Sequence, residues 1–349
     1  MSDKLFMQRA LDLAQKGLGF VSPNPMVGCV IVHDNKTVGE GWHKNYGGKH
    51  AEVNAIDSLE NKEIITESTV YVTLEPCSFY GKTPACTDLL IKHNPQLVVV
   101  ASKDPNPKVS GNGIKLLKQA GISVEFGILE KEAITLNKRF FVAMQENRPY
   151  VILKWAQTSD NFIARSDYSS KWISNEYSRQ LVHKWRTEED AILVGYNTVK
   201  YDNPELTARN WEGRNPVRVV IDPGLDLNQS FKIFGDSEEV YVFNSKVEKS
   251  DGNLHYKLIS ESNLAESLLE NLYKNDIGSV IIEGGSKTIN DFIDQGLWDE
   301  ARVFSSQQAF GDGISAPNLH VKASEEIKIE EDNLKIIYNP ESSTLWQKN

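Results

Sequence analysis

The 349-residue sequence has little that would tie it to a membrane, an oxidising compartment or a nucleic acid. No run approaches the 18 or so uninterrupted apolar residues that a membrane span needs, and the opening MSDKLFMQRALDLAQ lacks the apolar core of a secretion signal. Three cysteines, Cys29, Cys77 and Cys86, are too few and of the wrong parity for a disulfide framework. They point to a reducing cytoplasm in which thiols bind metal or stay free. A basic surplus is missing as well: residues 1–147 are neutral, and the whole net charge of −10 falls on residues 148–349. Broad phosphate-backbone binding is excluded by that balance, so the expected partner is a small molecule held by a few placed groups. No Gly-x-Gly-x-x-Gly occurs, so no Rossmann fingerprint can be invoked.

What is present reads as two α/β units. An amphipathic opening (Leu5, Phe6, Arg9, Ala10, Leu13, Ala14) has helical spacing, and residues 26–32 form an apolar, β-branched run expected to be a buried strand. Strand candidates at 37–42, 69–73, 97–101 and 123–127 alternate with helical segments starting near His50, Cys86, Gly113 and Glu130, which predicts a layered domain around a five-stranded sheet. A boundary is expected at 146–149, where a helical pattern meets polar residues and Pro149, giving domains 1–147 and 148–349. The second offers strands at 151–155, 191–195, 217–221, 239–243, 255–259, 279–283 and 302–305. Its helices are expected at 175–185, 264–273 and 288–294, with a charged tail at 325–332 and no internal repeat.

The chemistry of the first unit lies in His50-Ala51-Glu52, Pro76-Cys77 and Cys86. One imidazole and two thiolates suit Zn²⁺, and three protein ligands leave a fourth tetrahedral position for water. Such a water loses its proton near neutrality, and a carboxylate two residues from the histidine, Glu52, can carry that proton to a leaving amine. His-x-Glu with Pro-Cys-x-x-Cys is the pattern of zinc nucleobase deaminases. Here eight residues separate the cysteines, so the usual helical turn becomes a loop able to deliver Lys82 toward the site. The competing reading, a structural zinc knot, lacks a fourth ligand, because neither Cys29 nor His43 has typical spacing.

Four segments make the resemblance specific: Ser22-Pro23-Asn24-Pro25-Met26-Val27-Gly28; Gly41-Trp42-His43 leading into His50-Ala51-Glu52; Glu75-Pro76-Cys77 through Tyr80-Gly81-Lys82-Thr83-Pro84 to Cys86; and Asp104-Pro105-Asn106-Pro107 with Gly111 and Gly113. The first half resembles the deaminase domain of the bacterial bifunctional riboflavin-biosynthesis deaminase/reductases, which share the long cysteine spacing. The resemblance implies that Asn24, His43 and Lys82 contact the pyrimidine or its phosphoribosyl arm, and that Asp104 and Asn106 belong to a substrate loop. By themselves Asn24 and the Asp104–Asn106 stretch read equally as turn residues. Phe79 departs from the histidine of many relatives.

In the second half, Ile281-Ile282-Glu283-Gly284-Gly285-Ser286 is a buried strand opening through a glycine pair onto a helix, an arrangement that brings backbone N–H groups to a phosphate. Alone it is a weak signal. Leu153-Lys154-Trp155-Ala156, Ser170-Lys171-Trp172-Ile173-Ser174, Arg186, Gly195-Tyr196-Asn197-Thr198-Val199 and the run from Asp202 to Arg209 add to it and resemble the reductase domain of the same family. The resemblance implies that Ala156, Trp172, Thr198, Asp202, Gly285 and Ser286 hold NADPH, while Ser170, Arg186, Leu206, Arg209 and Glu283 face substrate. Physically, Arg186 and Arg209 suit a phosphate, since a guanidinium offers paired donors; surface ion pairing of these arginines with Glu188, Glu189 or Asp190, and a core position for Trp172, are the competing readings. The Asp160-Asn161 pair after the first strand replaces an Asp-Gly turn, with asparagine tolerant of positive φ.

The expectation is therefore a cytidine-deaminase-like α/β/α domain followed by a dihydrofolate-reductase-like α/β domain. By resemblance it is a homo-oligomeric enzyme of riboflavin biosynthesis that uses Zn²⁺ and NADPH on a phosphoribosylaminopyrimidine. Two alternatives stay open: a tRNA, nucleoside or free-base deaminase fused to an unrelated domain, and a second half that only binds ligand or oligomerises.

Overall fold

The computed structural model describes residues 3–79, 84–106, 109–169, 172–235, 238–260 and 263–342, which form two compact units, Met1–Glu146 and Asn147–Asn349. The first contains α1 (Asp3–Gln15), β1 (Gly28–His33), β2 (Lys36–Trp42), α2 (Ala51–Asp57), β3 (Thr69–Leu74), α3 (Cys86–His93), β4 (Leu97–Ser102), α4 (Asn112–Gln119), β5 (Ser123–Phe126), α5 (Glu130–Leu136) and α6 (Lys138–Glu146). Its sheet runs β2-β1-β3-β4-β5, with β3, β4 and β5 parallel and β1 antiparallel to both neighbours. The central strands β1, β3 and β4 read as near-continuous apolar runs because both faces are covered, while β2 and β5 at the edges carry polar, exposed positions. Cys29, Ile31, Val70, Val72, Val98 and Val100 pack against α2, α3 and α4, and the intervening Val30, Val32, Tyr71, Val99 and Ala101 against α1 and α5. β1 begins at Gly28, two residues later than its apolar run. The buried Asn137 amide takes up both the N–H and the carbonyl of Met26, in place of a neighbouring strand.

The second unit contains β6 (Tyr150–Gln157), β7 (Phe162–Ala164), α7 (Glu176–Glu188), β8 (Ala191–Gly195), α8 (Tyr196–Asp202), β9 (Val217–Ile221), β10 (Val240–Asn244), β11 (Lys249–Asp251), β12 (Leu254–Leu258), α9 (Leu264–Lys274), β13 (Ser279–Ile282), α10 (Ser286–Asp294), β14 (Glu300–Ser305), β15 (Ile314–Ser315), β16 (Glu325–Ile329) and β17 (Asp332–Tyr338). Ten strands form one sheet, ordered β11-β12-β10-β9-β8-β13-β6-β14-β17-β16, and β7 pairs with β15. The expected charged tail is instead the β16–β17 hairpin at the sheet edge. Glu325, Glu326 and Lys328 are the outward charges of an exposed edge strand, which discourage further pairing. Asp332 ties this hairpin to α7 by accepting from Asn175 N and Ser178 Oγ, while Asn175 caps α7 through Ser178 N. Asp299, fully buried, accepts from Val151 N at 2.8 Å, from both terminal nitrogens of Arg148, and from Ser342 Oγ at 2.6 Å. Among the described residues no helix is long and apolar enough to cross a membrane.

Candidate active sites

In the first unit two helix N-termini and the loop after β3 meet. His50 precedes α2 in extended conformation, Glu52 lies in its first turn, Cys86 opens α3, and Cys77 sits in the loop. His50 Nδ1 is 3.3 Å from Cys86 Sγ and 3.6 Å from Cys77 Sγ, and the three ligand atoms lie within 4.8 Å of one another. A tetrahedron with metal–ligand bonds of about 2.0–2.3 Å has edges of roughly 3.6–3.8 Å, so this donor set fits zinc with small adjustments. Cys86 N–H donates to Cys77 Sγ at 3.2 Å, and partial positive charge at a helix N-terminus favours thiolate. A hydrogen bond from the Cys86 thiol and the adjacent His50 hold the Cys77 thiol low. Glu52 is 3% exposed, and burial raises its carboxyl above the ordinary range.

A cavity of about 240 Å³ opens onto these groups and is also lined by Asn24, His43, Asp104 and Asn106. The Lys49 carbonyl can only accept, so His43 Nδ1 donates to it at 3.0 Å and Nε2 is left to accept from Asn24 Nδ2 at 3.1 Å. Burial, the leading cause, lowers His43 and favours that neutral form, and it pushes Asp104 up to about 6. Lys82 lies outside the described residues. Sequence reasoning gave no role to Glu75, whose buried carboxylate accepts N–H bonds from Asp104, Gly111 and Ile114 and so anchors the 104–114 loop beside the site. Nor did it single out Tyr46 and Phe140, which line the cavity with Phe79. Their positions depend on packing that no local motif records.

In the second unit a cleft of about 800 Å³ opens at the carboxyl ends of β6, β8, β9 and β13, where parallel sheets place ligands. Its walls include Ala156, Trp172, Thr198, Asp202, Gly285, Ser286, Arg186, Leu206, Arg209 and Glu283; Ser170 lies outside the described residues. Gly195 and Gly285 precede α8 and α10, so two helix N-termini border the cleft. A Cβ on Gly195 would meet Thr288 Oγ1 at 2.6 Å, and one on Gly284 would meet Thr288 Cβ at 2.8 Å, so close packing demands glycine at both.

Arg186 pairs in fork fashion with Glu283, at 3.1 and 3.0 Å, and donates a third bond to the Thr207 carbonyl. The acids beside it are engaged elsewhere, Glu189 with Arg302 and Asp190 with Arg214. Lys154, 3.5 Å from the same carboxylate, was missed as a site residue because its partner is 129 positions away. Burial would raise Glu283, but Arg186 and Lys154 override it and hold the carboxyl at about 2. Trp172 is no core residue: it is 62% exposed, with the Arg179 guanidinium over its ring. Asn161 does adopt positive φ, and Asp160 accepts from Phe310 and Gly311 N–H.

Comparison with known proteins matches residues 1–102 to the cytidine and deoxycytidylate deaminase zinc-binding region and residues 149–332 to the RibD C-terminal domain. The riboflavin biosynthesis protein RibD of Aquifex aeolicus is 40% identical over 93% of this chain and 92% of its own, and that of Escherichia coli 35% over 89% of each. A solved diaminohydroxyphosphoribosylaminopyrimidine deaminase/5-amino-6-(5-phosphoribosylamino)uracil reductase from Thermotoga maritima superposes with a TM-score of 0.88 at 40% identity, over 96% of this chain and 98% of that one. Likeness at this level across nearly the whole length of both partners places the chain in the RibD family, as a bifunctional riboflavin-biosynthesis enzyme with a zinc deaminase in its first half and a nicotinamide-dependent reductase in its second.

Proposed function

We propose that the first half deaminates 2,5-diamino-6-(5-phosphoribosylamino)pyrimidin-4(3H)-one and that the second reduces the ribosyl arm of the product to ribityl with NADPH. The observation that carries the reading is the buried Glu52 beside a three-ligand cluster that opens onto a small cavity. Held by His50, Cys77 and Cys86, zinc supplies Lewis-acid activation of the attacking water. Glu52 takes a proton from that water as its oxygen adds to the amino-bearing carbon and passes it to the adjacent ring nitrogen, then takes the proton of the new hydroxyl and gives it to the amino nitrogen, which leaves as ammonia while the carbonyl forms. His43, held by Lys49, fixes Asn24, which presents its amide oxygen to the pyrimidine, while the His43 ring, Asp104 and Asn106 line the wall beside it. Lys82 and Ser170 keep roles by resemblance alone.

NADPH bound in the cleft would be the source of the hydride that reduces C1′ of the opened ribosyl imine. Ala156, Trp172, Thr198, Asp202, Gly285 and Ser286 form its binding wall, the two helix N-termini suiting its phosphates. Arg186, Leu206, Arg209 and Glu283 form the substrate wall, and Lys154, held against Glu283, is a cationic group able to give the imine nitrogen its proton. The choice of NADPH follows the family. The neutral first half supports a small-molecule substrate over a nucleic acid, and thiol ligands support a cytoplasmic setting; assembly as a homo-oligomer belongs to the same reading. One assay tests it: zinc content, ammonia release and NADPH oxidation with the diaminopyrimidine phosphate. Ammonia and NADPH oxidation are expected in sequence. Absence of ammonia from the zinc-loaded enzyme would refute the deaminase assignment.

A further inference from the structure

His183 sits on α7 one turn before Arg186, is 6% exposed, and lines the reductase cleft. Its Nδ1 is 2.9 Å from the Thr207 carbonyl oxygen, which can only accept, so Nδ1 carries the proton. Burial, then Arg186 and Arg209, lower the ring's pKa and favour the neutral form in which that tautomer is fixed. Arg186 Nη1 donates to the same oxygen at 3.0 Å. On one side of Thr207, Leu206 is buried at φ 57°, a region that non-glycine residues occupy only where their surroundings over-determine it. On the other, Ala208 N–H donates to Asn215 Oδ1 at 2.9 Å. Three consecutive residues are thus pinned by a side chain, a carbonyl and an amide. The next, Arg209, has a half-exposed side chain whose contacts are long: 3.6 Å to Glu205 and 3.4 Å to Thr207 Oγ1.

We infer that His183 is a positioning residue of the reductase, holding the 206–209 backbone so that the half-exposed Arg209 guanidinium meets the anionic end of the substrate. The inference rests on the reductase reading above. Three full-length variants test it. His183→Asn keeps an amide where Nδ1 was, His183→Gln moves the amide to the Nε2 position, and His183→Leu removes it. KM for the deaminated, phosphate-bearing substrate is expected to rise roughly tenfold in the Leu and Gln variants, as an oriented charge-assisted contact is lost, and to return toward wild type in the Asn variant. kcat and NADPH affinity are expected to hold. Added to Arg209→Ala, His183→Leu is expected to raise KM no further, because the two act through one contact. Unchanged KM in the Leu and Gln variants, an Asn variant no better than Gln, or full additivity with Arg209→Ala would each overturn the inference. If the Leu variant no longer binds NADPH, the comparison of Asn with Gln decides. A wild-type enzyme that fails to oxidise NADPH with this substrate refutes the reductase reading itself, whereas an active wild type with unaffected variants refutes the positioning role alone.

Discussion

The deaminase cavity is about 240 Å³ and its reactive atoms sit on side chains, whereas the reductase cleft is about 800 Å³ and much of its wall is backbone at strand ends and helix N-termini. A metal demands a few donors at fixed separations, so the first site concentrates its chemistry in residue types that are scarce in the chain. A dinucleotide is long and spreads small contacts over many residues, so the second needs shape: glycines where helices approach, and one heavily paired carboxylate, Glu283. Glycine serves both, differently. Gly113 lies so near the loop after β3 that a Cβ would come 2.2 Å from the Pro76 carbonyl, while Gly195 and Gly284 yield to the side chain of Thr288.

If the contrast holds, the two activities fail separately. The largest effect is expected from Cys77→Ser or Cys86→Ser: zinc content falls and deamination is abolished, since one of three ligands is gone, while NADPH oxidation with the deaminated substrate persists. Cys29→Ser, buried in the sheet, leaves zinc unchanged. Next, Glu52→Gln keeps zinc but lowers ammonia release by roughly 10²- to 10⁴-fold, the range for a lost proton shuttle. A variant that loses zinc too would show that Glu52 shapes the metal site. Gly113→Ala is expected to lower zinc retention and the thermal stability of the first half, because the atom it meets is backbone; metal analysis after dialysis and calorimetry would read this, with reductase turnover as control.

The smallest effect sharpens the second half of the comparison. Glu283 titrates at about 2 when folded against about 4.3 in an unfolded chain, so its pairing stabilises fully above the unfolded value and is lost as pH falls toward the folded one. Glu283→Gln is expected to cost at most about 3 kcal/mol at pH 7. The gap between the urea midpoints of the two proteins should narrow as pH drops from 5 through 3 and close toward pH 2; a gap independent of pH would assign the loss to packing.

The same division explains what the amino-acid order revealed. His50, Glu52, Cys77 and Cys86 carry their chemistry in their identity, and the alternation of apolar runs with helical periods was enough to lay out the first sheet. The β16–β17 hairpin reads as a tail in the sequence because Glu325, Glu326 and Lys328 look solvated whether or not a strand lies beneath them; its pairing with β14, from Glu300 against Tyr338 to Ser305 against Asn333, leaves no local mark. Lys154, Glu75 and His183 were overlooked for a like reason. Each acts on a partner distant in sequence; Glu75 and Lys154 lie inside segments that carry the family resemblance, but the segments do not say which distant group each side chain meets, and His183 has no such segment around it.

Asp299 brings Arg148 and Ser342, from the first and last described segments of the second unit, to one carboxylate. A linker joining residue 148 to residue 342 would close that stretch on itself, and a new opening at an exposed surface turn would give a rearranged chain in which every strand stays whole, since connectivity there is nearly independent of architecture.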